Sequence, residues 1–483
     1  MKNLKLSKNV LLLVLSLALI GYAKGQPTGK KISEQEASAK ISSGQTAVQT
    51  TDKTKIEQEY LTKARKNIEQ YRKGDASVSV VDAQGKPLKN IKVEINQVSQ
   101  DFLFGNIVFE LAGMFASGPK EFYNVDEYKA KFKALFNFAI IPYYWAAYER
   151  KAGNPDWQRN EAAIKWCLDN NITLKGHPLS WTSPSGTPRW LLKLEPDIAT
   201  DLLKARIYNN VIGYKGRVNI WDVVNEAVNT VPWEAAIRDS ANNNDFRYNV
   251  KDQTTEQVAP WVENTFKWAN AANPDGTYIL NEYFTLAIPE VRDKFYKLLK
   301  ELQKRNTPVK GIGIQAHEPR SMWFSPVEMY ATFDLYKEFN VPIHITEFIP
   351  QSSGKPITGW REGTWTEDAQ AEFAEQFYTL AFGYPSVASI NWWGFSDRSI
   401  WLPGGGLLDK EYNPKPVYIR LMKLIKEDWM TKNVNLATDK KGVASFRGFY
   451  GKYQIKITGS DGSSQIFEIH LGEKAENRWE FKL

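Results

Sequence analysis

Cysteine is nearly absent from this chain: across 483 residues there is one, Cys167. Disulfide staples and cysteine-built metal sites are thereby excluded, and the lone thiol, inside EAAIKWCLDNN (161–171), is expected in core packing. Histidine is scarce too. The four present, His177, His317, His344 and His470, form no HExxH or other close ligand pair, so neither a metal nor a cofactor is expected. No glycine-rich phosphate loop opens a helix. Beyond the N-terminus no apolar run is long enough to span a bilayer.

An excess of one charge is also missing from most of the chain. The formal net charge is +7, but four lysines and no acids fall within residues 1–25, which leaves +3 for the remainder. No nucleic-acid partner is implied by so small a surplus. Those first residues carry Lys2, Lys5 and Lys8, an apolar run over 10–20, and the small residues Ala23 and Gly25 around Lys24. The pattern predicts a cleaved signal peptide, and hence a secreted or periplasmic protein. No cysteine follows that could carry a lipid.

Residues 26–54 are rich in Ser, Thr, Gln, Lys and Ala without apolar periodicity and read as a flexible linker. Over 55–100 a charged helix (55–73, stopped by Gly74) precedes two alternating strands around a Gly-Lys-Pro turn, the pattern of a β-hairpin. A similar alternating pattern returns over 434–471, within a C-terminal segment of 431–483. The two flanks are expected to meet in one small accessory β module. Its Phe446, Phe449, Tyr450 and Tyr453 are spaced as readily for a core as for a binding face, and packing is the favoured role.

Between the flanks, over 101–430, apolar strand-like runs lie at about 102–109, 137–145, 172–181, 218–226, 277–284, 309–317, 342–348 and 387–395. Most are separated by amphipathic helical stretches. Eight strands in βα alternation predict an α/β fold, a (β/α)8 TIM barrel, with its chemistry at the C-terminal strand ends. Glu226 closes VNIWDVVNEAVN and Glu347 closes VPIHITEFIP, 121 positions apart. Facing each other, two such carboxyls are the equipment of a glycosidase. Strand 3 ends in LKGHPLSW with His177 and Trp181. Strand 4 also presents Asn225, strand 6 Gln315 and His317, and strand 8 the run NWWGFSD with Trp393, followed by Trp401. Amides and imidazoles can pin sugar hydroxyls, and aromatic faces pack on pyranose rings. Trp166 and Trp268 are expected in the core.

These residues resemble glycoside hydrolase family 10, whose best-known members are secreted endo-1,4-β-xylanases. The resemblance covers roughly residues 100–427 and is carried by WDVVNEAVN, ITEF, GHPLSW, GIGIQAH and WWGFSDRSIWLPGGGLLD with NPKP beyond it. It implies a (β/α)8 barrel, Glu226 as general acid/base and Glu347 as nucleophile of a retaining hydrolase. It also implies substrate-binding roles for Asn225, Gln315, His317, His177, Trp181, Trp393 and Trp401. The partner so implied is a polysaccharide, xylan or a related β-glycan, bound by a monomer.

The chain departs from the family after strand 2. Where the family carries an ENEMKW-like stretch, this chain has IIPYYWAAYE (140–149), so Ile141 replaces an asparagine and Tyr144, at a substrate-binding position, replaces a lysine. Trp145 and Glu149 still match. Thr182 stands for a histidine, and Ile349 for the aspartate two places after the nucleophile, so His317 is expected to be steadied differently. Two other readings stay open: the same mechanism on a different or decorated β-glycan, and a silent carbohydrate-binding protein.

Overall fold

The computed structural model describes residues 50–113, 125–237 and 253–483; the signal peptide over 1–25 and most of the 26–54 linker lie outside them. Helix α1 (Thr50–Tyr71) starts inside the segment read as linker and runs into strand β1 (Lys73–Val81), followed by β2 (Lys92–Gln100). Gly74 lies within β1 and does not cap the helix. Its missing side chain has another reason: a Cβ there would stand 2.7 Å from the Tyr450 ring.

The next elements alternate. In chain order they are β3 (Leu103–Ile107), α2 (Val125–Leu135), β4 (Phe138–Pro142), α3 (Trp157–Asp169), β5 (Thr173–His177), α4 (Pro196–Gly213), β6 (Ile220–Asn225) and α5 (Thr255–Ala272). They continue as β7 (Thr277–Glu282), α6 (Pro289–Lys304), β8 (Gly311–Ile314), α7 (Pro326–Tyr336), β9 (Ile343–Phe348), α8 (Glu367–Phe382), β10 (Val387–Trp392) and α9 (Pro416–Lys423). Strands β3 to β10 pair in parallel and close into an eight-stranded barrel. The (β/α)8 expectation is met, each strand falling inside a run read from the sequence.

The cause is local. These strands are buried along almost their whole length, so they read as continuous apolar runs. The helices around them start on polar caps: Thr254 and Gln257 form a capping box on α5, and Thr366 accepts from Ala369 N at the start of α8. Helix α6 turns Phe295, Leu298, Leu299 and Leu302 onto the barrel, each contributing about 1.5–3 kcal/mol through burial. Cys167 is fully buried in the same core, and burial pushes its thiol up to about 12; Trp166 and Trp268 pack against that core.

Five strands follow: β11 (Val434–Ala437), β12 (Val443–Phe449), β13 (Gly451–Thr458), β14 (Ser464–Leu471) and β15 (Arg478–Lys482). The hairpin expected from β1 and β2 does not form. Strand β1 sits between β12 and β15 in one sheet, while β2 joins β11, β13 and β14 in another. Each strand has one apolar face, Val78 and Val80 on β1, Val93 and Ile95 on β2, and the segment between them crosses from sheet to sheet so that both faces enter one core. Phe446 and Tyr453 lie in that core and Phe449 packs into the barrel cluster, a packing use of these aromatics.

The module joins the barrel beneath β10. Arg72 Nε donates to Phe382 O (2.8 Å), and its Nη2 donates to Tyr384 O and Val387 O (both 2.7 Å). Phe102, Phe104, Phe382, Trp429 and Phe449 interlock around this joint. Val387 is the first residue of β10, so the module lies at the end of the barrel opposite the C-terminal strand ends.

Candidate active site

At the C-terminal ends of β6 to β9 the side chains turn polar, and they converge. Asn225 is the last residue of β6 and Glu226 the next, held at φ +61°, a left-handed conformation uncommon outside glycine. The bond from Glu226 N to Asn281 O (2.8 Å) holds this turn in place and aims the side chain over the barrel mouth. Glu347 leaves β9 from the other side, its backbone N bonded to Gln315 O (3.1 Å). Both glutamates are largely buried, 9% and 4% exposed.

One amide network links them. Asn281, near the end of β7, donates through Nδ2 to Asn225 Oδ1 and to Glu347 Oε1, both at 2.8 Å. Its Oδ1 accepts from Thr346 Oγ1 (2.6 Å), which fixes the direction of the amide. Asn225 Nδ2 donates to Glu226 Oε1 (3.3 Å), and Gln315 Nε2 reaches both Asn225 Oδ1 (3.2 Å) and Glu226 Oε1 (3.4 Å). Two carboxyls 121 positions apart in sequence are thus linked through Asn225 and Asn281.

Two histidines flank Glu347. His317 Nε2 lies 3.2 Å from Oε2, and His177 Nε2 lies 3.8 Å from Oε1. His177 is oriented from behind by Asp222, whose Oδ2 is 2.8 Å from Nδ1 and 2.6 Å from the Lys175 ammonium. Burial alone would raise the Asp222 carboxyl, but Lys175 and His177 hold it below the usual carboxylate range. An ionised Asp222 can only accept, so Nδ1 of His177 is the donor. For His317, burial opposes the charge, yet Glu318 and Glu347 push the imidazole up to about 9.

Aromatic side chains complete the walls. Trp393 meets His177 edge-on (4.9 Å between centroids), Tyr144 contacts His177 and Trp181 (5.5 and 5.9 Å), and Phe109 touches both Tyr144 and Trp393. Trp401 lies edge-on to His317 at 5.5 Å. All ten residues singled out in the sequence therefore gather at one mouth. Ile141 is fully buried in β4, and Thr182 bonds Thr230 and Val231 O, joining the loops after β5 and β6.

The sequence reading missed four residues. Asn281, Glu282, Asp222 and Glu318 all lie in or next to runs recognised as strands; the first three act through partners distant in sequence, and Glu318 acts beside its neighbour His317, whose approach to Glu347 only the fold shows. Glu282 is wholly buried and accepts from Val228 N, Asn229 Nδ2 and Tyr283 N (2.9, 2.8 and 2.9 Å), bracing the loop that follows Glu226. Burial, with the charge of Glu226, pushes its carboxyl up to about 8.

Comparison with known proteins agrees with this geometry. Residues 109–424 match the model of Glycosyl hydrolase family 10. The chain belongs to that family. As a family 10 member it is a glycoside hydrolase. Endo-1,4-beta-xylanase B of Thermotoga neapolitana is 26% identical over 364 residues, spanning 72% of this chain and 94% of the relative. The Anti-sigma-I factor RsgI6 of Acetivibrio thermocellus is also 26% identical, over 403 residues and 83% of this chain, which spans only 47% of that relative's length. Among solved structures, xylanase 10B of Thermotoga petrophila RKU-1, in complex with xylobiose, shares the fold with a TM-score of 0.54. It is 24% identical and covers 68% of this chain and 95% of its own.

Proposed function

We propose that this protein is an exported, retaining endo-β-1,4-xylanase. Glu347 attacks the anomeric carbon while Glu226 gives its proton to the departing glycosidic oxygen, so that one C–O bond forms as the other breaks. Water, deprotonated by the resulting Glu226 carboxylate, then displaces Glu347 from the glycosyl-enzyme, and both side chains return to their starting states. Asn225 and Gln315 reach toward the sugar hydroxyls at the reacting unit. His177, Trp181, Trp393, Trp401 and Tyr144 line the cleft. The observation that carries this reading is the bridge through Asn281 and Asn225, which puts both glutamates at one mouth.

The experiment is reducing-sugar release by the mature protein from xylan and from a panel of soluble β-glycans, with Glu347→Ala as the blank. Short xylo-oligosaccharides that retain β-configuration at the new end, absent in the mutant, are the expected result. Silence on every glycan would sink the proposal.

A second reading is favoured by Tyr144. The family's lysine is replaced by a ring wedged among Phe109, His177 and Trp181, so that wall offers aromatic surface in place of a charge. Such a wall suits a different or decorated β-glycan, and mutant-sensitive activity on another polymer alone would establish it.

A further inference from the structure

We infer that Glu318 is a positioning residue for the nucleophile: it holds His317 against Glu347 and ties that histidine to the Trp401 wall of the cleft. The inference rests on the proposed role of Glu347.

The geometry begins at the imidazole. Nε2 of His317 faces Glu347 Oε2 at 3.2 Å and Nδ1 faces Glu318 Oε1 at 3.7 Å, so the ring lies between two carboxyls. The second distance is one at which charge attraction acts, and a small rotation of either side chain turns it into a hydrogen bond. Glu318 is 4% exposed and His317 is mostly buried, so screening by water is weak.

Ile349 cannot serve in this place. It is an apolar side chain, 2% exposed, packed against Gly405. Glu318, immediately after His317, supplies the carboxyl instead. The groups facing this pair are Glu347 from β9, Arg320 from the loop beyond, and the buried phenol of Tyr283 at the end of β7, which feels the charges of Glu226, Glu282 and Glu318.

Glu318 also reaches outward. Arg320 Nε donates to its Oε1 at 3.2 Å, and the Arg320 guanidinium lies 4.4 Å from the centre of the Trp401 ring. Trp401 in turn touches His317. The four side chains form a closed circuit, His317 to Glu318 to Arg320 to Trp401 and back. A displacement of Glu318 therefore reaches both the charge beside the nucleophile and the wall of the cleft.

The sign follows from electrostatics. With a carboxylate on each side the imidazolium is favoured, and an amide in place of Glu318 removes half of that support. The test is an NMR titration of ¹⁵N-labelled histidine side chains in the full-length protein, with His317→Asn used to assign the resonance. In Glu318→Gln the His317 midpoint should fall by about 1–2 pH units. In Arg320→Ala, which removes a positive charge, it should stay or rise, whereas simple loosening of the loop would lower both.

A kinetic arm uses dinitrophenyl β-xylobioside, whose leaving group departs without a proton, so titration of Glu226 drops out of the glycosylation step. Here Glu318→Gln should lose kcat/KM at a lower pH than wild type, and Arg320→Ala should raise KM with kcat nearly kept. An unchanged His317 midpoint in both Glu318→Gln and Glu318→Asp overturns the inference. The titration needs no substrate, so inactivity of the wild type on every glycan would defeat the proposed function without deciding this point.

Discussion

The amide of Asn281 has one orientation open to it, because Thr346 occupies its oxygen and its two N–H bonds then point at Asn225 and Glu347. Removing it leaves a buried carboxylate short of a donor and frees Asn225 to rotate. Asn281→Ala is expected to lower kcat/KM by about 2 kcal/mol, roughly thirty-fold, at little cost in fold; steady-state rates with circular dichroism as control check this. Glu282 gives a second prediction at this scale. Its carboxyl titrates near 8 in the folded protein but near the ordinary glutamate value when unfolded, so between those limits the unfolded chain releases a proton the native state keeps. The Glu282 contribution to stability therefore falls as pH rises from 5 to 8, and Glu282→Gln, which cannot titrate, escapes that loss. The difference in melting temperature, mutant minus wild type, should grow across that window; a flat difference would contradict it. Contributions from His317 and His344 are common to both proteins and cancel. Glu226 and Glu347 were legible in the sequence because each ends an apolar run inside a recognisable motif. Asn281 ends such a run too, but only the fold shows which carboxylate it serves.

At the scale of elements, strand spacing and site geometry depend on each other. A Cβ at Gly313, in β8, would stand 2.4 Å from Asn281 Oδ1 and 3.0 Å from Ile279 Cγ2 on the neighbouring strand. Gly313→Ala must therefore push the β7 strand end, and the Asn281 amide with it, off the Glu347 carboxylate. Activity should drop at least tenfold with a smaller relative loss of stability, on the order of 1–3 kcal/mol, read from rates and urea midpoints side by side. The eight barrel strands were legible because burial on both faces writes them as apolar runs. The β1–β2 hairpin was misread because alternation reports that a strand has one buried face, not which strand lies beside it. Helix α1 began earlier than its composition suggested for a related reason: in the added turn Lys53 Nζ donates to Trp360 O (3.2 Å), a contact some 300 residues away that leaves no local trace.

Over the whole molecule, the module and the cleft occupy opposite ends of the barrel. Arg72 is the joint between module and barrel, and its loss strands three backbone carbonyls. Arg72→Ala is expected to cost about 2–4 kcal/mol of stability in urea unfolding while kcat/KM, measured well below the transition, stays within twofold. Strand β1 carries a consequence of another kind. It is the middle strand of its sheet, and both neighbours, β12 and β15, are translated after the entire barrel. At about 5–20 residues per second, a ribosome needs roughly 20–80 s to bring them out. Through that interval Val78 and Val80 have no sheet to enter, and a nascent chain halted before Arg478 would keep an open β edge for chaperones or proteases to find.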